Sequence, residues 1–186
     1  MIDPNDFNWR ATCYDKAGHA FGTAEIYSKR MQLLEKWINF NTTLGIVVPV
    51  LIGVILSTYN DQTTRAIVSV FAVVLGGTQL VISIISLTFG WEARKSYYLE
   101  SAIANRRFSE RYNDLLMNAT FEVQKFREIE EEDRRRNDLD DKYPFSDKET
   151  RRAHRIGLKR FQLECATCHE VPDSLESSEC NTCGNF

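Results

Sequence analysis

Four of the five cysteines in this chain fall within its last 22 residues. They form Cys165-Ala-Thr-Cys168 and Cys180-Asn-Thr-Cys183, separated by eleven residues. Two C-x-x-C knuckles bring four thiolates together, and four thiolates suit a tetrahedral zinc ion. Gly184, directly after the second pair, suits the tight turn of a knuckle. Such a site has no open coordination position, so the metal is expected to be structural: one zinc per chain, held by Cys165, Cys168, Cys180 and Cys183. A segment this short cannot build its own core, so the metal should supply its folding energy. Cys165-Ala-Thr-Cys168-His169 also matches the C-x-x-C-H pattern of c-type haem attachment, but haem would leave Cys180 and Cys183 without a role. Redox chemistry has little support, because no βαβ pattern surrounds either pair. Cys13 stands apart and reads as an inert thiol.

A second candidate lies just upstream. Ser146 and Glu149 form an S-x-x-E capping box, which predicts a helix over about 147–163. Lys148, Arg151, Arg152, Arg155 and Lys159 fall on one of its faces at a spacing of three to four, flanked by His154 and Arg160. Clustered Arg and Lys suit phosphate groups through charge and forked hydrogen bonds. The alternative is that they offset the acidic stretch over 128–141. No catalytic constellation accompanies them. The three histidines, His19, His154 and His169, are scattered, and there is no phosphate-cradling glycine loop and no G-x-S-x-G. An enzyme is not expected.

What positions these residues is unusual. The 186 residues are 43% hydrophobic and 26% charged, ordinary averages. The hydrophobicity is concentrated, however. Trp37–Asn60 and Ala66–Trp91 contain no Asp, Glu, Lys, Arg or His, and only Asp61–Arg65 separates them. Each run is long enough for a bilayer core, which needs roughly 20 apolar residues per helix. The spans are expected at about 38–59 and 66–90, joined as an antiparallel hairpin that stays in the mature protein. Lys29, Arg30 and Lys36 before it and Arg94, Lys95, Arg106 and Arg107 after it face a single loop cation, Arg65. That asymmetry puts both termini in the cytoplasm. Trp37, Tyr59 and Trp91 sit at the span ends, where amphipathic rings prefer to lie. The sequon at Asn118-Ala119-Thr120 is then on the wrong side for glycosylation.

The second span carries a heptad seam of small and polar residues, Ser69, Ala72, Gly76, Gln79, Ser83, Ser86 and Gly90. The first has a looser version in Asn39, Thr42, Pro49, Gly53, Ser57 and Asn60. A mid-span amide such as Gln79 needs protein or water around it. Two readings stand: close helix packing through small residues, or the lining of an assembled pore, with Ser69, Gly76, Gln79, Ser83, Ser86 and Gly90 toward the axis.

Outside the spans, residues 1–20 read as an irregular segment punctuated by Pro4 and Gly18. Tyr27, Met31, Leu34 and Ile38 repeat at helical spacing into the first span. Phe108, Tyr112, Leu115, Ala119, Val123 and Phe126 do the same after the second, with no Pro or Gly between Trp91 and Tyr143. One helix is therefore expected from the second span to about Arg136, its apolar stripe covered by the N-terminal helix or by another copy. Residues 127–142 mix both signs and read as a solvated helix end grading into a linker. The expected organisation is an N-terminal segment (1–20), a two-span unit with cytoplasmic extensions (21–136), a linker with the basic helix (137–163) and the zinc-binding tail (164–186). The fold class is an all-α membrane protein: a two-helix transmembrane hairpin with long cytoplasmic helices and a small C-terminal zinc-knuckle module.

A helix bearing Arg30 and Trp37 that enters a tight two-span hairpin and leaves by a long amphipathic helix resembles the SLATT group of bacterial two-transmembrane effectors. The CxxC-x11-CxxC spacing is similar to a mobile-element-associated family named for it. The resemblance implies a pore-forming homo-oligomer of the bacterial inner membrane. It would act in anti-phage conflict and be triggered by a nucleotide or oligonucleotide signal from a partner nucleotidyltransferase. A tetramer is the expected copy number, since closed rings are the usual form of homo-oligomer. With a formal net charge of −3 and no basic half, duplex DNA binding is not expected. The competing expectation, from a different class, is a membrane-anchored adaptor whose zinc module recruits a protein or nucleic acid without conduction.

Overall fold

The computed structural model describes residues 8–59, 61–118 and 122–186. The described residues form five helices and no strand: α1 (Trp9–Thr58), α2 (Gln62–Thr88), α3 (Trp91–Met117), α4 (Val123–Asp140) and α5 (Asp147–Phe161). They divide into two compact units, Arg30–Tyr97 and a second one built from the chain up to Lys29 together with Tyr98–Phe186. In this division α4, α5 and the cysteine tail share a unit with the first turns of α1.

In the discontinuous unit, helix α1 starts at Trp9, so the segment expected to be irregular is helical from there on. The Asn8 side chain accepts from Ala11 N–H at 3.2 Å and opens the helix. Pro4 lies outside the described residues. Gly18 is not punctuation. It sits inside α1 facing α5, where a Cβ on Gly157 would fall 2.7 Å from the Gly18 carbonyl carbon. One turn on, a Cβ on Gly22 would fall 2.6 Å from the Ala153 carbonyl carbon. Gly18 and Gly22 on α1, against Ala153 and Gly157 on α5, therefore let two helix backbones touch. Tertiary contact here offsets the helix-weakening effect of two glycines.

The long helix expected after the second span is broken twice. Gly90, with φ of 59°, ends α2 in a left-handed turn that L side chains disfavour. Further on, α3 stops at Met117 and α4 restarts at Val123, antiparallel to it. Arg111 pairs with Glu132, Tyr112 OH donates to Asp133 at 3.1 Å, and Asn105 donates to Asp140 at 2.9 Å. The apolar stripe found its partner within the chain. Phe108, Tyr112, Leu115, Leu116, Phe126 and Ile129 pack with Cys13, Ala17 and Ala20 of α1. Val123 stays exposed, and Ala119 lies outside the described residues.

The charged stretch in α4 is not a solvated end. Asp133, Arg136 and Asp140 are buried. The Asp140 carboxylate accepts from Ser101, Asn105 and Arg136, and its backbone carbonyl accepts from the Tyr27 hydroxyl. Arg136 also reaches Glu100 at 2.7 Å. Buried charges persist only when they are paired and hydrogen-bonded in this way.

In the other unit, α1 and α2 form an antiparallel pair, with register set by Asn41 opposite Ser83 (Nδ2 to Oγ 3.4 Å). Asp61 caps α2, accepting from Thr64 N–H at 2.7 Å; Asn60 lies outside the described residues. Both α1 and α2 are long and apolar enough to cross a membrane, and none of their most apolar 18-residue windows is buried. Pro49 lies inside α1 without ending it.

Candidate metal centre and its helical cradle

The capping box forms as expected. Ser146 Oγ accepts from Glu149 N–H and the Glu149 carboxylate accepts from Ser146 N–H. Helix α5 then runs to Phe161 and closes at Gln162 in the left-handed conformation. That closure aims the chain directly into the first cysteine pair.

All four sulfurs lie within 4.8 Å of one another. Across the two pairs, Cys165 Sγ is 4.0 Å from Cys180 Sγ and Cys168 Sγ is 3.8 Å from Cys183 Sγ. Four sulfurs about 2.3 Å from one tetrahedral ion stand about 3.8 Å apart, so the donor set fits a metal with little adjustment. The knuckles are pseudo-symmetric at an offset of fifteen residues, and Thr167 bonds Thr182 across the axis at 2.6 Å. Backbone turns tighten each one. His169 N–H donates to Cys165 O at 2.8 Å and Gly184 N–H donates to Cys180 O, also at 2.8 Å.

Left-handed backbone is needed at His169 (φ 57°), not at Gly184. Gly184 serves close approach instead, since a Cβ there would lie 2.7 Å from the Ser178 carbonyl oxygen. The N–H groups of Cys183 and Thr182 hold the Cys180 thiol down at about 6, which favours the thiolate a metal requires. Burial pushes Cys165 up, but N–H bonds from Cys168 and Thr167 outweigh it and leave the thiol below its ordinary value. His169 is exposed. With all four cysteines gathered, the haem-attachment reading has no geometry to support it. Cys13 is buried in the α1 core, and burial raises its pKa to about 11.

The basic face of α5 is where the tail docks. Arg155 is 7% exposed. Its Nε donates to Ser174 O at 2.9 Å, and Nη1 reaches Ser178 Oγ at 3.2 Å and the Cys183 carbonyl at 3.5 Å. The same Nη1 lies 4.0 Å from Cys183 Sγ. Lys159 donates to Asp173 O at 2.6 Å, and Arg151 to Asn185 O. Leu158 packs against Cys165 and Cys183. So three of the five residues expected to bind phosphate spend their donors on the tail's backbone. Lys148 is exposed, and Arg152 lies 5.8 Å from the Phe186 ring.

The seam on α2 is divided. Gln79 lies against the α1 backbone, with Nε2 3.3 Å from Asn41 O, and Ser83 accepts from Asn41. Ser69 and Gly76 are exposed. On α1, the side facing α2 is that of Asn41 and Gly45; Asn39, Thr42, Pro49, Gly53 and Ser57 are exposed. The Thr42, Ser57 and Ser69 hydroxyls donate to carbonyls four residues back on their own helices.

Residues 10–186 match the family of mobilome CxxCx(11)CxxC proteins. The chain belongs to that family. The match takes in the helices from Arg10 onward as well as the cysteine tail. No curated protein and no solved structure matches the chain.

Proposed function

We propose that this mobilome protein is a zinc-stabilised, two-span membrane effector. Its hairpins assemble into a homo-oligomer, taken as a tetramer, that opens a pore in the bacterial inner membrane during anti-phage conflict. The observation that carries the reading is the bareness of the hairpin. Its apolar windows are entirely unburied. Gly53, Gly76 and Gly77 would each admit a Cβ with nothing within 4 Å. Open glycines on apolar helices are what membrane helix–helix interfaces use. Gln79 and Ser83, tied to Asn41, then describe a closed state, and parting α1 from α2 would wet them. Flank charge supports cytoplasmic termini, and the SLATT resemblance supports a nucleotide-derived trigger. Four cysteines without an open position favour zinc over a catalytic metal.

The test is ion leakage from vesicles holding the purified full chain. Gln79→Leu and Ser83→Trp should lower it, and Leu80→Phe should leave it unchanged. Equal leakage in all three makes the seam packing alone and moves the adaptor reading ahead. One observation favours the adaptor instead: Gln79, Ser83 and the hydroxyls of Thr42, Ser57 and Ser69 already have partners inside one chain. A purified monomer with no leakage and an intact zinc module would make the hairpin an anchor.

A further inference from the structure

Three cations on α5 are held by neutral partners. Arg151 donates to Asn185 O, Arg155 Nε to Ser174 O at 2.9 Å, and Lys159 Nζ to Asp173 O at 2.6 Å. Each acceptor is a main-chain carbonyl of the cysteine tail. The ion pairs among the described residues engage none of the three. The nearest sulfur to them is that of Cys183, 4.0 Å from Arg155 Nη1. Arg152 meets the tail as well, with its guanidinium carbon 5.8 Å from the Phe186 ring. The tail therefore satisfies the donors of this face and supplies no carboxylate to match their charge. A phosphate would accept from the same donors and add the missing negative charge, in the forked geometry that Arg favours. Residues 151, 155 and 159 follow one another in steps of four, about 6 Å of helix each. The three cations are thus spread over about 12 Å of helix, more than a single phosphate group can reach.

The tail's hold on this face depends on its metal. From Leu163 to Phe186 the chain forms neither helix nor strand. Its apolar cluster is the four cysteines with Leu158 and Leu163. Order in such a segment comes from the ion, and withdrawing the ion removes it. Helix α5 does not share this dependence. It has its own capping box at Ser146 and Glu149, and its other side packs on α1, where Ala153 and Ile156 cluster with Ile26 and Gly157 lies against Gly18.

We propose that the cysteine tail is a detachable cover over a phosphate-binding face of α5. With the metal held, the tail's carbonyls occupy Arg151, Arg155 and Lys159. With the metal withdrawn, the tail leaves, and these three together with Arg152 take a ligand carrying more than one phosphate group. The cover requires the zinc module of the proposed function and is independent of conduction by the hairpin.

The experiment titrates the full chain in detergent with inorganic tripolyphosphate by equilibrium dialysis. One sample is zinc-loaded; in the other, zinc has been stripped with EDTA and the chelator removed. Metal content is measured after each titration, and circular dichroism follows helix content. The stripped chain should bind at least tenfold more tightly than the loaded one, with its helices kept and with new protease cleavage after residue 163. Cys168→Ser breaks the metal site without a chelator and should bind as the stripped chain does. In the stripped state, Arg151→Gln combined with Lys159→Gln should weaken binding at least tenfold. Arg127→Gln combined with Arg160→Gln removes as much charge away from the tail contact and should change it little. Adding phosphatidylglycerol assigns the source of the phosphate: displacement of tripolyphosphate gives the face to lipid headgroups, and unchanged binding gives it to a soluble ligand. The cover is overturned if the two metal states bind alike, if the Arg151 and Lys159 variant binds as the parent does, or if stripping leaves the tail protected. A chain that takes up no zinc removes the cover and the zinc module together, whereas zinc that binds without altering phosphate affinity removes the cover alone.

Discussion

Gly22 of α1 and Ala153 of α5 meet backbone to backbone, and a Cβ on Gly22 would lie 2.6 Å from the Ala153 carbonyl carbon. The listener at that contact is main chain and cannot rotate away. Gly22→Ala should therefore force α5 off α1 and destabilise the chain by about 1–3 kcal/mol, as overpacking does. Gly157→Ala should behave alike, since its Cβ would fall 2.7 Å from the Gly18 carbonyl carbon. Gly53→Ala, with open space around it, should be neutral or gain the roughly 1 kcal/mol helix preference of Ala over Gly. Chemical unfolding of the three variants checks the order. Equal stability at positions 22 and 53 would mean that the two helices are not in close contact.

Arg155 connects the basic helix to the metal centre. Its guanidinium holds the Ser174 carbonyl, Ser178 and the Cys183 carbonyl in one grip. A four-thiolate site carries net negative charge even with a divalent ion, and a buried cation beside it offsets this. Arg155→Ala should weaken zinc binding by about 10–100-fold, the usual loss when an outer partner of a metal ligand is removed. Competition with a chromogenic chelator measures it. Arg160→Ala, at an exposed position on the same helix, should leave the affinity unchanged. Cys168→Ser should abolish binding and release the tail from α5, detected as new protease cleavage after residue 163.

Sequence reasoning reached furthest where chemistry is local. The C-x-x-C pairs, the capping box of Ser146 and Glu149, and the two apolar runs are each short-range patterns: the four sulfurs gather, the box closes, and both runs are helical. It stopped where a partner from far along the chain decides the outcome. Nothing in residues 118–122 is a Pro or Gly, yet α3 and α4 are separate antiparallel helices, because the stripe of α4 packs on α3 and α1. Asp133, Arg136 and Asp140 read as solvated because burial of a charge depends on partners such as Tyr112, Ser101 and Asn105, which local pattern does not reveal. A usable signal was present at Gly18-x3-Gly22 and Ala153-x3-Gly157, small residues one turn apart on two helices. The basic face of α5 was legible as a face, but its occupant was the chain's own tail.

Asp133 gives the fold a dependence on pH. Burial holds its carboxyl above the ordinary value of 3.8, against opposing pulls from the Tyr112 hydrogen bond, Lys16 and His19, while Glu130 raises it further. A raised carboxyl binds its proton more tightly folded than unfolded. Its contribution to stability is thus fully present below about pH 3.8 and is lost as pH rises through the folded value. Asp133→Asn keeps an acceptor for Tyr112 OH and removes the penalised charge. It should be more stable than the parent at pH 7, with the difference shrinking toward pH 4. Melting temperatures across that range test it, and a variant less stable at pH 7 would show that the charge is held by pairing.

Gly45 and Gln79 couple the two apolar helices. The Gln79 amide occupies the space a Cβ on Gly45 would need, and it lies against the α1 backbone, with Nε2 3.3 Å from Asn41 O. The obstruction is the far end of a flexible side chain, so Gly45→Ala should be tolerated while displacing the amide from its acceptor. In apolar surroundings a displaced amide is unfavourable, though interhelical hydrogen bonds in membranes average only about 0.6 kcal/mol. Gly45→Ala should therefore destabilise the hairpin modestly in the parent chain. In a Gln79→Ala background the same change should be neutral or stabilising, because the methyl then fills the vacated space and Ala favours helix. Contacting residues show coupling of about 0.5–3 kcal/mol in such cycles. Unfolding of the four proteins in detergent measures it, and additivity within about 0.3 kcal/mol would separate Gly45 from Gln79 and leave the register of the hairpin resting on Asn41 and Ser83.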